Sequence, residues 1–342
     1  PRDRRGMIGS LFNIWERRLA SVDTNRIVRP FEWGLDWIGV DDSDDPLRAL
    51  QTWADETVAT SESFFDFTPA TNYELNGDEL RFTSALETPW TVNNTVIARV
   101  FHPDTLPAGA PRRAVVVLPQ WNADAEGHVG LCQLFARFGL TAVRLTLPYH
   151  DQRRPADLSR ADFIVSANVG RTIHANRQAV LDARGVVEWL SQQGFERIGI
   201  MGTSLGSCLA MLTMSHEPRI VAGAFNHISP YFTDVVWRGL STQHVRAGLE
   251  GRIGLDDLRR CWMPISPWPF IPRVRGRKLL LIYARFDSTF PVDLSRRFIA
   301  EFRRQNIPHR LAALPCGHYT TGKAPFKFID AYHLTRFLVK KL

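Results

Sequence analysis

The sequence has no long hydrophobic run and no clustered cysteines. Its longest apolar segments, Ala114 to Pro119 and Leu279 to Ala284, are far shorter than the ~18 residues that a membrane-spanning helix needs. The four cysteines lie far apart and form no C-x-x-C pair, which argues against zinc or dithiol chemistry and against a disulfide scaffold. These absences exclude an integral membrane protein and favour a reducing, cytoplasmic compartment. The first residue is proline rather than methionine, so the absence of a signal peptide adds nothing to that expectation.

Lysine is also scarce, because it supplies only five of the 42 basic side chains. The net charge is +7, but the arginines are scattered apart from one cluster at Arg273, Arg275, Arg277 and Lys278. The sequence shows no helix-turn-helix pattern, no basic stripe interleaved with aromatics and no glycine-rich phosphate loop. We therefore expect no nucleic-acid partner. Contact with an anionic membrane surface, which the charge alone suggests, stays an open alternative.

The order of apolar segments predicts the fold class. From about residue 110 onward, short apolar runs alternate with helix-length amphipathic segments, which is typical of a largely parallel sheet flanked by helices. Strands at 80–86 and 95–101 are expected to add an antiparallel edge. The longest helix is predicted over 166–193, before Gly194, a residue suited to a helix C-terminus. The predicted parallel strands are 114–119, 141–147, 197–202, 220–226, 278–284 and 310–314.

Two regions depart from this alternation. Residues 1–79 are predicted to form a helical or irregular extension, whose first helix carries an apolar side made of Leu11, Phe12, Trp15 and Leu19. We expect this helix to dock on its own domain; a membrane surface or a partner protein is the alternative. Residues 230–277 are too long for a plain connection and too aromatic for a solvated linker.

A candidate nucleophile lies in the motif Gly202-Thr203-Ser204-Leu205-Gly206, directly after a predicted strand and before a segment able to form a helix. A serine at a sharp strand-to-helix turn projects from the sheet, and small residues two positions away on either side prevent collisions. The following helix N-terminus would favour negative charge beside Ser204. A serine that merely caps an ordinary helix is the alternative.

A serine hydroxyl becomes a nucleophile when an imidazole removes its proton and a carboxylate orients that imidazole. Asp287 follows the strand at 278–284, and His318 follows the last strand. Both positions are at strand ends of the kind where sites collect in open α/β sheets. Asp234 and Asp293 are competing acids, but the first follows a different strand and the second is expected within a helix. None of the other nine histidines is assigned a placement like that of His318.

These three motifs give residues 80–342 a resemblance to the α/β-hydrolase superfamily. The G-x-S-x-G turn, the aspartate followed four residues later by Pro291, and Gly317-His318 near the C-terminus occur in that family's characteristic order. The resemblance implies an α/β-hydrolase fold in which Ser204 is the nucleophile, His318 the general base and then acid, and Asp287 the orienting carboxylate. It implies no cofactor and no metal.

The resemblance also implies two backbone donors for the tetrahedral oxyanion. One is the N–H of Leu205. The other belongs to the loop Pro119-Gln120-Trp121-Asn122, where many members of the superfamily carry His-Gly. Aligning that loop assigns the donor to Trp121, with Gln120 as the alternative, and a merely packed indole at Trp121 is a further possibility.

Superfamily members commonly carry a cap over the active site after the sixth strand, and residues 230–277 occupy that place. By this resemblance the segment is a cap-like insertion in which Trp237, Trp262 and Trp268 bind the substrate in an apolar acyl or alcohol pocket. Packing of these side chains in the core is the equal alternative.

The segment from Leu147 to Pro155 contains several polar side chains whose role has to be assigned. We favour a structural loop. Two alternatives stay open: His150 or Asp151 could line the pocket, and Arg153 and Arg154 could contact an anionic substrate. His150, Asp151 and His128 show no i, i+4 histidine pair or H-E-x-x-H pattern, so we expect no metal. Cys208, on the helix after the motif, is expected to be a packed side chain.

The sequence thus predicts a serine hydrolase that cleaves a small-molecule carboxylic ester through an acyl-enzyme intermediate. A thioesterase, a peptidase, an acyltransferase or a cofactor-free haloperoxidase would use the same three residues. A binding protein that keeps the fold without turnover is the alternative from another class.

Overall fold

The computed structural model describes residues 4–105 and 109–342. Nine strands, numbered in chain order, form one sheet in this part of the chain. They are β1 (Glu74–Asn76), β2 (Glu79–Thr83), β3 (Thr95–Phe101), β4 (Arg113–Leu118), β5 (Thr141–Leu145), β6 (Arg197–Thr203), β7 (Ile220–Asn226), β8 (Lys278–Ala284) and β9 (Arg310–Leu314). Their order across the sheet is β1-β2-β3-β5-β4-β6-β7-β8-β9. The pairs β1–β2, β2–β3 and β3–β5 are antiparallel, and the remaining five pairs are parallel.

Helices flank this sheet. They are α1 (Arg4–Ala20), α2 (Pro46–Ala59), α3 (Ser61–Phe64), α4 (Val129–Arg137), α5 (Val169–Gln192), α6 (Leu205–His216), α7 (Phe232–Arg238), α8 (Gln243–Leu249), α9 (Leu255–Cys261), α10 (Val292–Arg304) and α11 (Phe326–Lys341). The prediction of a mostly parallel central sheet flanked by helices is confirmed.

Strand β4 shows why the parallel strands appear as continuous apolar runs. Val116 and Leu118 belong to one hydrophobic cluster, which includes side chains of α5 and α6. Val115 and Val117 belong to another, with side chains of α4 and α11. Because helices cover both faces of the sheet, the residues that point to one face and those that point to the other are all buried.

The ends of two predicted elements shift for local reasons. Helix α5 begins at Val169 rather than 166, because the Asn168 side chain accepts a hydrogen bond from the Arg171 N–H at 2.8 Å and caps the first turn. Strand β2 ends at Thr83, before the buried Ser84 hydroxyl, which donates to Asp182 at 2.7 Å. The short strand β1 was not predicted, since its three exposed residues carry no apolar alternation.

Helix α1 docks on the domain with a face that only partly coincides with the one expected. Phe12 stacks on Phe286 with ring centroids 4.6 Å apart, and Glu16 and Ala20 are buried. Leu11 and Trp15 are 61% and 38% exposed. The contact therefore follows the helical spacing of residues 12, 16 and 20. No helix in the described part of the chain is long and apolar enough to cross a bilayer.

Arg153 forms an ion pair in the core rather than at the substrate site. Its guanidinium lies 2.8 Å from the Asp182 carboxylate, and neither side chain is exposed. It also donates to the carbonyl oxygens of Asn93 and Thr146. Burial raises the pKa of Asp182, and Arg153 opposes that rise. The sequence alternative in which Arg153 contacts an anionic substrate is therefore excluded.

We predict that Arg153→Met destabilises the protein strongly. The change leaves the Asp182 carboxylate buried without its cation, which typically costs about 3–5 kcal/mol. Urea unfolding followed by circular dichroism measures the loss. The matched control is Arg238→Met, which breaks the exposed pair with Asp293 and should cost about 0–1 kcal/mol. Equal small losses for both variants would contradict the account.

Candidate active site

Ser204 lies at the sharp turn between β6 and α6. Its backbone has φ 57° and ψ −120°, a strained conformation for a residue with a side chain. A Cβ atom on Gly202 would collide with the Gly206 carbonyl, and one on Gly206 would collide with the Leu118 carbonyl. The two glycines of the motif are therefore required by the closeness of strand, helix and neighbouring strand at this turn.

Three side chains from three strand ends form a continuous hydrogen-bonded series. The Ser204 Oγ lies 3.0 Å from the His318 Nε2, and the His318 Nδ1 lies 3.0 Å from the Asp287 Oδ2. Ser204 follows β6, Asp287 follows β8 and His318 follows β9. The parallel arrangement of these strands brings together the three residues that the sequence singled out.

The Asp287 carboxylate is buried and accepts four hydrogen bonds. Its Oδ1 accepts from the backbone N–H groups of Thr289 at 2.8 Å and Phe290 at 2.6 Å. Its Oδ2 accepts from His318 and from a second imidazole, the Nδ1 of His227, at 2.7 Å. Burial alone would raise the pKa of Asp287, but the charge on His318 and the two imidazole hydrogen bonds hold it well below its usual range. The carboxylate is therefore ionised, as an orienting group must be.

The loop that carries His318 is held by a buried carboxylate from the other end of the chain. The Glu16 side chain, on α1, accepts hydrogen bonds from the N–H groups of Tyr319 at 2.9 Å and Thr320 at 2.8 Å. Burial would lower the pKa of His318, but Asp287 and Glu16 together raise it. Phe290 stacks on the imidazole with ring centroids 5.3 Å apart.

The predicted oxyanion donors lie at the same place. Gln120, Trp121 and Leu205 all line the cavity in front of Ser204. Leu205 is the first residue of α6, so its N–H has no partner within the helix. The indole of Trp121 is also packed, since its Nε1 donates to the Ala161 carbonyl at 2.8 Å.

His150 supports the loop that carries Trp121. Its Nε2 accepts from the Asn122 N–H at 2.9 Å, and its Nδ1 donates to the Pro148 carbonyl at 2.9 Å. Burial lowers the pKa of His150 to about 4, so the ring is neutral near pH 7 and can accept. These contacts agree with the structural role that we favoured for the segment of His150.

Ser204 and His318 face a cavity of about 870 Å³. Ser204, His227 and His318 line it together, and Phe290 flanks them. Its apolar wall includes side chains of α7, in the segment 230–277, namely Phe232, Val235 and Val236. Cys208 also borders the cavity, and burial raises the pKa of its thiol.

None of the three predicted pocket tryptophans lines this cavity, so that assignment is corrected. Trp262 is fully buried, and its Nε1 donates to the Val169 carbonyl at 3.1 Å. Trp268 packs against Tyr231. Trp237 lies beneath the Arg246 guanidinium. Their role is packing, the alternative that the sequence left open, because the face of α7 opposite Trp237 supplies the wall.

The competing acids are engaged elsewhere. Asp234 forms an ion pair with Arg259 at 2.8 Å, and Asp293 pairs with Arg238 at 2.7 Å. His128 contacts the Thr203 hydroxyl at 2.9 Å.

Among the residues that the structure describes, one group of three side chains could hold a metal ion. It consists of His227, Asp287 and His318, whose ligand atoms lie within 4.8 Å of one another. Their Nδ1 and Oδ2 atoms are already joined by hydrogen bonds, which account for their closeness.

Sequence reasoning missed two residues of this site. His227 comes directly after β7, so it has the strand-end placement that was assigned to His318 alone. Applying the strand-end rule to every histidine would have found it. Glu16 carried no such signal, because its partner is a loop some 300 residues further along the chain.

Comparisons with known proteins place this fold. The family model "Alpha/beta hydrolase domain containing 18" matches residues 132–242, about a third of the chain, which includes Ser204 and His227. No curated protein matches the chain.

Several solved structures are similar. The acylaminoacyl peptidase of Pyrococcus horikoshii has a TM-score of 0.62 at 18% identity, and the match covers 80% of this chain and 42% of that one. The acetyl xylan esterase of Paenibacillus sp. R4 has a TM-score of 0.61 at 13% identity, with 89% and 96% covered. Acetyl xylan esterase 1 of Thermoanaerobacterium sp. JW/SL YS485 has 0.59 at 13% identity, with 95% and 98% covered.

At these identities the similarity shows the fold. The chain has the α/β-hydrolase fold, as its motifs predicted. It spans 42% of the length of the peptidase but nearly the whole length of the two esterases.

We predict that Glu16→Gln loosens the His318 loop. The new amide turns a donor toward an N–H that had an acceptor, which should cost about 1–3 kcal/mol in urea unfolding. Removing the negative charge also lowers the pKa of His318, which an NMR titration of the imidazole measures. Glu56→Gln, an exposed change on α2, should alter stability by less than about 0.5 kcal/mol and leave that pKa unchanged. An unshifted pKa of His318 in Glu16→Gln would contradict the electrostatic influence of Glu16 on that imidazole.

Proposed function

We propose that the protein is a serine hydrolase that cleaves a carboxylic ester through an acyl-enzyme intermediate. The observation that carries the proposal is the series Ser204 Oγ, His318 Nε2, His318 Nδ1 and Asp287 Oδ2, joined by two contacts of 3.0 Å. This is the geometry that nucleophilic catalysis by a serine requires.

In the proposed acylation step, the Ser204 Oγ attacks the ester carbonyl carbon while its proton passes to the His318 Nε2. The carbonyl oxygen becomes an oxyanion, and we assign its donors to the N–H groups of Leu205 and of Trp121 or Gln120, residues that line the cavity. The tetrahedral intermediate then collapses. The C–O bond to the alcohol breaks, and the leaving oxygen takes the proton from His318.

Deacylation repeats these steps with water. His318 takes a proton from water, the hydroxide oxygen attacks the acyl carbon, and the Ser204 oxygen leaves and recovers its proton. Asp287 stays ionised throughout and holds the His318 Nδ1–H, so that the Nε2 faces the reacting atoms. The product is a carboxylic acid, and the protein returns to its starting state.

The apolar wall of Phe232, Val235 and Val236 offers contact to an uncharged acyl or alcohol group, which an ester shares with other acyl substrates. We favour an ester because the esterases that resemble the chain match it along nearly their whole length. A peptidase is the second candidate, since the acylaminoacyl peptidase has a similar TM-score. We propose that the segment 230–277 acts as the cap of this site through α7.

We expect a fluorophosphonate to label the protein at Ser204 and Ser204→Ala to lose both labelling and ester hydrolysis. Loss of the nucleophile should lower kcat by about 10⁴-fold or more. Mass spectrometry locates the adduct, and p-nitrophenyl esters of increasing chain length measure turnover. Ser229→Ala is the matched control, because Ser229 lines the same cavity but donates to the Tyr231 carbonyl; it should keep its labelling.

The same assay separates the candidate functions. Labelling with hydrolysis of esters but not of acylaminoacyl amides supports the esterase. Faster cleavage of the amides would favour the peptidase. A folded protein that shows neither labelling nor turnover would overturn the proposal in favour of a binding protein.

We predict an acid limb in the pH profile of kcat/KM, with its midpoint above the ordinary histidine value of about 6.5. His318 must be neutral to act as base, and Asp287 and Glu16 raise its pKa. Activity is therefore lost as the pH falls through the raised value, and it is present above that value. Stopped assays between pH 5 and 9 on one ester measure the profile. A midpoint well below 6.5 would contradict the electrostatic account of His318.

A further inference from the structure

A second imidazole shares the carboxylate of the proposed catalytic series. The His227 Nδ1 lies 2.7 Å from the Asp287 Oδ2, the oxygen that also accepts from His318 at 3.0 Å. His227 is buried, borders the cavity and lies with its ring centroid 4.2 Å from that of His318. The proposed hydrolysis gives the His227 side chain no role.

The backbone contacts of His227 do not require an imidazole. Its N–H donates to the Ile282 carbonyl at 3.0 Å, and its own carbonyl accepts from the Ser207 hydroxyl at 2.8 Å. Any residue could make these bonds. The position also has φ 60°, a conformation that costs free energy for a residue with a side chain. The side chain, rather than the backbone, therefore needs an explanation.

The shared oxygen fixes the protonation of both rings. A carboxylate oxygen only accepts, so each Nδ1 must carry a hydrogen. For His227 this makes the neutral ring the Nδ1–H tautomer. Asp287 faces both rings, and Glu16, on α1, faces the loop of His318. Burial and the neighbouring His318 lower the pKa of His227, whereas Asp287 and Glu16 raise that of His318. The proton taken from serine therefore belongs on His318.

Sharing also weakens the carboxylate as a partner of His318. An N–H donated to Oδ2 stabilises the negative charge on Asp287 whether or not His318 is protonated, so that less of this charge is available to stabilise the imidazolium. Without the second donor, His318 would hold its proton more tightly. It would then stay protonated, and so be unable to act as a base, up to a higher pH.

We propose that His227 is a positioning residue of the active site, which fixes the Asp287 carboxylate and keeps His318 a weaker base, ready to act at lower pH. This inference rests on the proposed function. His227 does not touch the reacting serine in this arrangement. It acts on His318 through the carboxylate.

The test measures the rate of fluorophosphonate labelling at Ser204 between pH 5 and 9 in the full chain. In His227→Leu the midpoint of the rate should move up by about one pH unit, which lowers the rate about tenfold on the acid side. His227→Asn places an amide N–H near the former Nδ1 and should recover at least half of the shift. Such rescue would not follow from a packing role, because leucine fills the buried site as well as asparagine does.

His216→Leu is the matched control. It also replaces a buried histidine, one whose Nδ1 contacts the Leu212 carbonyl far from the series. Its labelling should keep the wild-type midpoint whatever its stability.

The outcomes are distinguishable. Wild-type protein that is not labelled would overturn the proposed function and the inference with it. Wild-type labelling with unchanged midpoints in both His227 variants would overturn the inference alone. If His227→Leu does not fold, NMR titration of the wild-type imidazoles decides. His227 must stay neutral with hydrogen on Nδ1 while His318 titrates, and a His227 that titrates first would overturn the inference.

Discussion

The buried negative charge of Asp287 is the constraint around which the site is arranged. A carboxylate removed from water must receive hydrogen bonds or lose its charge, and this one receives four. Two come from its own loop and two from imidazoles that follow β7 and β9. Satisfying one charge thus fixes the positions of two rings and, through His318, the orientation of the serine. The strained backbone at Ser204 and His227 is tolerated because the surrounding contacts determine it.

A second constraint joins the two ends of the chain. Glu16 accepts the amides that follow His318, while Phe12 stacks on the residue that precedes Asp287. Helix α1 therefore contacts both loops that carry the acid and base of the proposed reaction, although it lies outside the region that resembles the superfamily. Helix α1 is in this respect part of the site. Its opposite face, with Leu11 and Ile14 exposed, takes no part in these contacts.

The sequence was sufficient for eight of the nine strands in the described part of the chain and for the three central residues, because both leave local signals. Buried parallel strands such as β4 are short apolar runs, and Ser204 carries the glycines that its turn requires. Contacts between distant segments leave no such signal. Nothing in the sequence links Glu16 to the loop of His318, and Trp237, Trp262 and Trp268 were assigned to the pocket by their place in a segment that resembles a cap. The direction of each side chain depends on helix rotation, which the pattern of a short helix such as α7 does not determine.

The hydrogen bond from Asn122 to His150 sets a lower acid limit that is independent of the base. The imidazole can accept from that N–H only while its Nε2 is unprotonated, and burial lowers its pKa to about 4. Below that pH the His150 Nε2 carries a hydrogen that faces the Asn122 N–H, and the loop of Gln120 and Trp121 loses its support. Acid would then distort the proposed oxyanion pocket itself, and returning His318 to its neutral form would not by itself reverse this change. The neutrality of His150 thus sets a second limit, below the one that His318 sets in the proposed reaction, at which acid acts on the structure of the site.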